Sequence, residues 1–331
     1  MRHMRHMRHM RHMRHLRILL AIAVVLALPG CKPAQVTLAL EPGFYPSAVA
    51  HDPVNDRFFV ASHATGAIAI VRRDGGVAAH VRPASASGPV VQIAYDTWSI
   101  RLWALTSETL EAIEVAALPV RRTVIATAES GGGFADLAVD GISRVYLLEA
   151  TTGAVVAVER GRPARIVARL PDTGSLVTGG ALTLLPRTAA LIAARGNALW
   201  RVDLVTAAVE PVATGAGLEG VSQLVLVASD AAAHHVVAFR GRANEIVTLR
   251  VTLDARRAFV DDGTRARYDT PLHGAFDGRE VVVLLGRLRH HPSLGGDGRP
   301  NLPPRLATYS VAGAAAPRVA AAPGAAPALV R

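Results

Sequence analysis

The sequence predicts an all-β fold, a six-bladed β-propeller with four-stranded blades. An apolar strand core returns six times along the chain, at steps of 43 to 46 residues. Each step holds about four short strand signals separated by turn residues, which is the pattern of a propeller blade. In addition, a spare strand stands before the first repeat, whereas the last repeat lacks an outer strand.

The six strand cores are the predicted second strands of the blades. Each is a run of apolar residues, as expected for a strand that neighbouring blades cover on both faces. Their central residues are Phe59, Trp103, Tyr146, Ile192, Val237 and Val282. A β-sandwich or two smaller β domains would be the alternative, and the even period favours the propeller.

The first repeat shows how the strands of one blade follow one another. Its four predicted strands, separated by Asp-, Asn- and Gly-containing turns, are Ser47–His51, Arg57–Ser62, Ala67–Arg72 and Val77–Val81. We expect the spare strand, Gln35–Leu40, to supply the outer strand missing from the last blade. This pairing would close the ring, which would otherwise expose two sheet edges.

Residues 1–30 predict a lipoprotein signal peptide. An apolar segment, Ile18–Leu28, is too short to span a bilayer and ends in Leu28-Pro29-Gly30-Cys31. This ending resembles the bacterial lipobox, and Cys31 is the only cysteine of the chain. We expect Cys31 to be acylated and residues 31–35 to form a tether; an ordinary signal peptide with an incidental cysteine is the alternative. Lys32 follows in place of Asp, so the resemblance to enteric lipoproteins implies the outer membrane of a Gram-negative bacterium.

Composition excludes several functions. The formal charge is +10, but residues 1–30 contain six arginines and no acid, which leaves 30 basic against 26 acidic residues. This near balance argues against a nucleic-acid partner. With one lysine, Lys32, the body of the chain cannot form a P-loop or a Schiff base. Beyond the predicted propeller, residues 36–311, the Ala- and Pro-rich residues 312–331 predict a disordered tail.

Short motifs in the repeats resemble the gluconolactonase superfamily, which includes senescence marker protein and strictosidine-synthase-like proteins. They are the run from Tyr45 to Ile68, the segment Phe134–Asp140, and Leu302-Pro303-Pro304. The resemblance covers about residues 40–311 and implies six blades with an axial pocket. It also implies, for the enzymes of that family, a divalent cation such as calcium that polarises a lactone carbonyl.

The metal ligands that this resemblance implies are replaced here. The family's acidic and amide ligands match four positions without a carboxylate or an amide: Ser47, Ala135, Gly180 and Ser222. Two serine hydroxyls do not supply the charge that a dication needs. We therefore expect no metal cofactor, and a ligand- or protein-binding module in place of a metal-dependent hydrolase.

A second set of residues occupies the next position of each first strand. Its members are Ala48, Gln92, Asp136, Ala181, Gln223 and His273. If the register holds, Gln92, Asp136, Gln223 and His273 approach the axis as ligand-binding residues, and Asp136 and His273 are candidate acid–base groups. They would serve a gluconolactonase-like lactone or ester hydrolase with a non-standard site. The alternative is a water-filled channel lined by satisfied polar groups.

The long segment Gly286–Arg305 in the last repeat is rich in basic residues. Arg287 and Arg289 are candidates for binding an anionic ligand or a lipid headgroup. A solvated loop that its prolines keep extended is the alternative. The sequence thus predicts a lipid-anchored propeller of the cell envelope that binds a small molecule or another envelope protein.

Overall fold

A computed structural model of the chain describes residues 35–82, 88–116, 120–128, 133–172, 180–215, 218–286 and 303–311, with residues 288, 291, 296 and 297. The predictions for residues 1–34, including Cys31, and for residues 312–331 lie outside this part, as do those for Arg287 and Arg289. In the described part, no helix is long and apolar enough to cross a membrane.

The first three blades are antiparallel sheets of four consecutive strands. Blade 1 contains β2 (Pro46–Asp52), β3 (Arg57–Ser62), β4 (Ile68–Arg72) and β5 (Val77–Arg82). Blade 2 contains β6 (Val90–Asp96), β7 (Arg101–Thr106), β8 (Thr109–Glu114) and β9 (Arg121–Thr127). Blade 3 contains β10 (Phe134–Val139), β11 (Val145–Glu149), β12 (Ala154–Val158) and β13 (Arg165–Arg169).

Blades 4 and 5 repeat this plan, and blade 5 has one additional strand at its outer edge. Blade 4 contains β14 (Ala181–Leu185), β15 (Ala190–Arg195), β16 (Ala198–Asp203) and β17 (Val209–Pro211). Blade 5 contains β19 (Gln223–Ser229), β20 (Ala233–Arg240), β21 (Glu245–Thr252) and β22 (Arg257–Arg267), with a 3₁₀ turn at Gly241–Ala243. A short strand, β18 (Ala213–Thr214), pairs in parallel with β22 and adds a fifth strand that the sequence did not predict.

Blade 6 is completed by the N-terminal strand of the described chain. It contains β23 (Pro271–Phe276), β24 (Val281–Leu285), β25 (Arg305–Tyr309) and β1 (Gln35–Thr37). The predicted closure is confirmed, although β1 ends at Thr37 and not at Leu40. The backbone N–H of Leu38 then donates to Pro304 of blade 6, and that of Ala39 donates to Gly75 of blade 1.

The six first strands of the blades form the inner ring. Each lies at one edge of its sheet and contacts the first strand of the next blade, in the closed order β2, β6, β10, β14, β19, β23 and β2. The apolar core is correspondingly divided into six clusters, one between each pair of neighbouring blades. Because blades cover both of their faces, second strands such as β11, β15 and β24 are buried along their whole length.

Candidate functional site

Bulges in the inner strands place one residue of each affected blade at the same level of the axis. The pairing of first and second strands shifts register immediately before Ala48, Gln92, Asp136 and His273. A bulge adds an unpaired residue and turns the strand locally. Since an inner strand is also a sheet edge, alternate backbone N–H groups have no acceptor in their own sheet. Side chains from this level supply acceptors for several of them.

Asp136 fills this role across the joint between blades 3 and 4. Its Oδ1 accepts the side-chain amide of Gln92 at 2.6 Å and the backbone N–H of Leu137 at 2.8 Å. Its Oδ2 accepts the backbone N–H of Leu182, on blade 4, at 2.7 Å. Gln92 uses its own Oε1 for the N–H of Ile93. One carboxylate thus connects three consecutive blades.

Burial dominates the electrostatics of Asp136. The side chain lies in the interior, with the residue only 2% exposed, and this burial raises the pKa of its carboxyl group to about 7. The three donors, from Gln92, Leu182 and Leu137, oppose the increase because they stabilise the anion. Asp136 therefore has a raised proton affinity, but its oxygens are already engaged by the fold.

His273 occupies the equivalent position in blade 6, with Gln223 beside it. The amide of Gln223 is oriented by two bonds, since its Oε1 accepts Gly274 N–H at 2.7 Å and its Nε2 donates to Gly274 O at 2.9 Å. Nε2 of Gln223 also lies 3.2 Å from Nδ1 of His273. This Nδ1 accepts the backbone N–H of Val49, in blade 1, at 3.2 Å. Because Nδ1 acts as the acceptor, the neutral ring carries its proton on Nε2.

The Nε2–H of His273 has no hydrogen-bond partner among the described residues, although the residue is only 6% exposed. Burial also lowers the pKa of His273 to about 3, so the ring stays neutral at physiological pH. A buried donor without a partner costs free energy, on the order of 1–3 kcal/mol. His273 belongs to the wall of the axial cavity described below, but its Nε2 atom is itself buried.

A cavity of about 450 Å³ runs along the axis from this level to the turns at the ends of the first strands. Gln92, Gln223 and His273 line its inner part, and Gly141 and Pro186, in such turns, line its outer part. Asp136 is not among the lining residues. Ala48 and Ala181, at the same level, are fully buried.

Three lining residues near the outer end were missed from the sequence: His51, Tyr95 and Thr183. Burial, and then the charge of Asp52, raise the pKa of Tyr95 to about 12, so it remains a neutral phenol. His51 and Tyr95 could have been found from the sequence. Each directly precedes the Asp that ends its first strand, Asp52 or Asp96.

The positions that match the family's metal ligands have structural roles here. Ser47 donates its hydroxyl to Val90 O at 2.6 Å, and Ser222 donates to Phe239 O at 3.2 Å. A Cβ on Gly180 would lie 2.6 Å from the side chain of Leu148, so a larger residue does not fit without displacement. Ala135 is the residue at which β10 bulges. The described residues contain no group of three or more His, Cys, Asp or Glu that could hold a metal ion.

Comparison with known proteins supports the architecture. A streptogramin B lyase structure matches with a TM-score of 0.60 and 12% identity, over 83% of this chain and 97% of that chain. The chain is a six-bladed β-propeller. The virginiamycin B lyase of Staphylococcus aureus matches with a TM-score of 0.54 and 11% identity, over 76% and 95% of the two chains. An auxiliary nutrient binding protein of Bacteroides thetaiotaomicron matches at 0.56 and 12%, over 81% and 70%.

These similarities describe the fold alone, because fold and function are only loosely linked at such low identity. No protein-family model matches the sequence, and no curated protein matches it.

Proposed function

We propose that the protein is a lipid-anchored propeller of the cell envelope whose axial cavity binds a small neutral molecule. The observation that carries this proposal is the buried Nε2–H of His273, which has no partner among the described residues and belongs to a residue of the cavity wall. A hydrogen-bond acceptor such as a carbonyl oxygen would satisfy this donor. The neighbouring polar side chains, Gln92 and Gln223, are amides, so a neutral ligand fits the inner part better than an ion.

Binding is better supported than gluconolactonase-like hydrolysis. A general base needs a lone pair that can reach the substrate, and a Lewis acid needs negatively charged ligands. The oxygens of Asp136 already accept three donors, and Nδ1 of His273 accepts Val49 N–H. Solved propellers of similar fold include both a lyase and a nutrient binding protein, so the residues at the axis must decide.

The cavity proposal is tested by NMR on protein labelled with ¹⁵N in its histidines. Titration with small lactones, esters and amides should shift the Nε2–H signal of His273 saturably, without calcium and without hydrolysis. His273→Phe should abolish this binding, whereas His235→Phe, on a residue outside the cavity wall, should leave it unchanged. Lactone hydrolysis that Asp136→Asn abolishes, or stoichiometric calcium binding, would overturn the proposal.

The anchor is supported by the position of the only cysteine, Cys31, at the end of the apolar segment. Metabolic labelling with an alkyne fatty acid should label the protein, and Cys31→Ser should remove the label. Labelling that survives this substitution would contradict acylation at Cys31.

A further inference from the structure

Among the described residues, the exposed large apolar side chains that do not belong to outer strands lie on one face of the propeller. We call the turn face the surface formed by two sets of turns. The first set joins first to second strands (53–56, 97–100, 140–144, 186–189, 230–232 and 277–280), and the second joins third to fourth strands (73–76, 159–164, 204–208 and 253–256). Within the described residues, five of the nine exposed large apolar side chains lie there: Val54, Trp98, Ile100, Ile142 and Val205. We call these five the tip residues. The other four, Val124, Ile125, Ile166 and Phe259, lie on outer strands.

The tip residues belong to turns that the sequence fixes in one conformation. An Asp at the start of the turn accepts the backbone N–H of the tip residue two positions later, as Asp52 does for Val54, Asp96 for Trp98 and Asp140 for Ile142. This side-chain bond to the backbone stabilises a tight turn. The tip side chains therefore project from ordered turns on blades 1 to 4, with exposures between 48% and 83%.

Ile100 has an unusual backbone conformation for its side chain. Its φ is +54°, in the left-handed region, which a β-branched residue occupies only at a cost of about 1–3 kcal/mol. The equivalent residues in the other turns are Asp56, Ser143 and Ala189, which also have positive φ. Folding alone would favour a small or polar residue at this position. An exposed isoleucine there indicates a use outside the fold.

Several basic residues on the turn face form ion pairs with neighbouring acids, among them Arg73 and Arg162. Arg73 contacts Asp56 and Asp277 at 2.7 and 3.0 Å, and Arg162 contacts Glu159 at 2.9 Å. The face therefore has no strong excess of positive charge at these turns. A partner would be held there by burial of apolar side chains, with little dependence on salt.

The direction of β1 relates the turn face to the N-terminus. β1 is antiparallel to β25, β25 to β24, and β24 to the first strand β23. β1 therefore runs in the same direction as the fourth strands of the other blades, which begin at the third-to-fourth turns, and beyond its end Ala39 N–H donates to Gly75 O in turn 73–76 of blade 1. The predicted acylation site, Cys31, precedes Gln35 by four residues, which span at most about 14 Å when extended.

We propose that the turn face lies on a lipid bilayer, with the tip residues in the headgroup region. This inference rests on the proposed lipid anchor. A protein partner would be expected to need a continuous apolar patch with a packed centre, whereas the five tip residues are spread over four turns, one in each of blades 1 to 4. Separate Trp, Ile and Val side chains suit the boundary between headgroups and acyl chains. The short tether keeps them near that boundary, so a weak affinity is sufficient.

Fluorescence quenching tests this orientation. The full chain, purified from the envelope in detergent, is reconstituted into phosphatidylcholine vesicles with and without brominated acyl chains. Trp98 is 74% exposed, whereas Trp103 is buried and Trp200 is half-buried, so Trp98 is the residue that brominated lipid can reach. Brominated lipid should reduce the fluorescence of Trp98 at least twofold. Trp98→Phe should abolish this quenching, and 0.5 M salt should not change it.

A matched control places the reporter on the blade perimeter. In the Trp98→Phe background, Val124→Trp puts an indole on the outer strand β9, where Val124 is 56% exposed, and this indole should not be quenched. Vesicle association with quenching at position 124 but not at 98, or with neither, would overturn the orientation and leave the anchor intact. A protein that does not associate with vesicles at all would contradict both. The NMR assay of the cavity depends on neither.

Discussion

Asp136 and His273 stand at the same level of the axis in blades 3 and 6, on opposite sides of the ring, yet they are used differently. Asp136 accepts three donors and connects blades 2, 3 and 4. His273 accepts at Nδ1, and its buried Nε2–H has no partner among the described residues. Equivalent positions of a repeat fold can thus connect neighbouring blades through all their polar atoms in one blade and leave a side-chain donor without a partner in another.

The largest expected effect is the loss of stability in Asp136→Ala. Removal of the carboxylate leaves Leu137 N–H, Leu182 N–H and the Gln92 amide without an acceptor in the interior, which should cost about 3–5 kcal/mol of unfolding free energy. Asp136→Asn retains an oxygen acceptor and should cost less. Urea unfolding of both variants measures the difference. A loss below about 1 kcal/mol in Asp136→Ala would show that Asp136 does not hold the blades together.

The next largest effect concerns the pH dependence of stability, to which Asp136 and His273 contribute with opposite signs. For Asp136, the pKa rises from 3.8 to about 7 on folding, so its contribution is present at low pH and is lost as the pH rises towards 7. For His273, the pKa falls from 6.5 to about 3, so its contribution is present above pH 6.5 and is lost as the pH falls. Between pH 4 and 6.5 the two slopes have opposite signs, each of about 1 kcal/mol per pH unit.

Single substitutions should expose these opposed slopes. Relative to the wild type, Asp136→Asn should gain stability as the pH rises from 4 to 6.5, because the negative slope of Asp136 is removed. His273→Gln should change in the opposite direction over the same range. Urea titrations at five pH values measure both trends. Parallel pH profiles for the wild type and both variants would refute the assigned protonation states.

The smallest expected effect on stability belongs to His273→Phe. The substitution removes the acceptor for Val49 N–H, which should cost about 1–2 kcal/mol, and removes the unpaired Nε2–H, which offsets part of that cost. Thermal unfolding measures the change, with Asp136→Ala as the reference. If His273→Phe were as destabilising as Asp136→Ala, His273 would be a second structural connection and the contrast between the blades would disappear.

Most of the fold could be predicted because the second strands are read directly from the sequence. Arg57–Ser62 has the predicted bounds, since a run of apolar residues covered on both faces leaves little ambiguity. The closing strand was predicted from the missing edge of the last blade. The strand β18 was not, because a two-residue parallel pair has no periodic pattern of its own.

The site was predictable only in its register. Counting along the repeats places Gln92, Asp136, Gln223 and His273 at one level, and the structure brings them to the axis at that level. The roles of Gln92, Asp136 and His273 depend on the bulges before them and on which N–H groups those bulges leave without acceptors. A bulge arises from the pairing of two strands, so neither the buried position of Asp136 nor the tautomer of His273 follows from residue types alone.

The pairing of β1 with β25 also dictates the order in which the molecule can be completed. Gln35 and Arg305 are 270 residues apart, and the side chain of Arg305 donates to Gln35 at 2.7 Å. Ribosomal synthesis therefore produces one half of this joint at the beginning and the other half near the end. Until blade 6 is synthesised, β1 has no strand to pair with. Its unpaired edge would be a substrate for a chaperone that binds exposed β-strand edges.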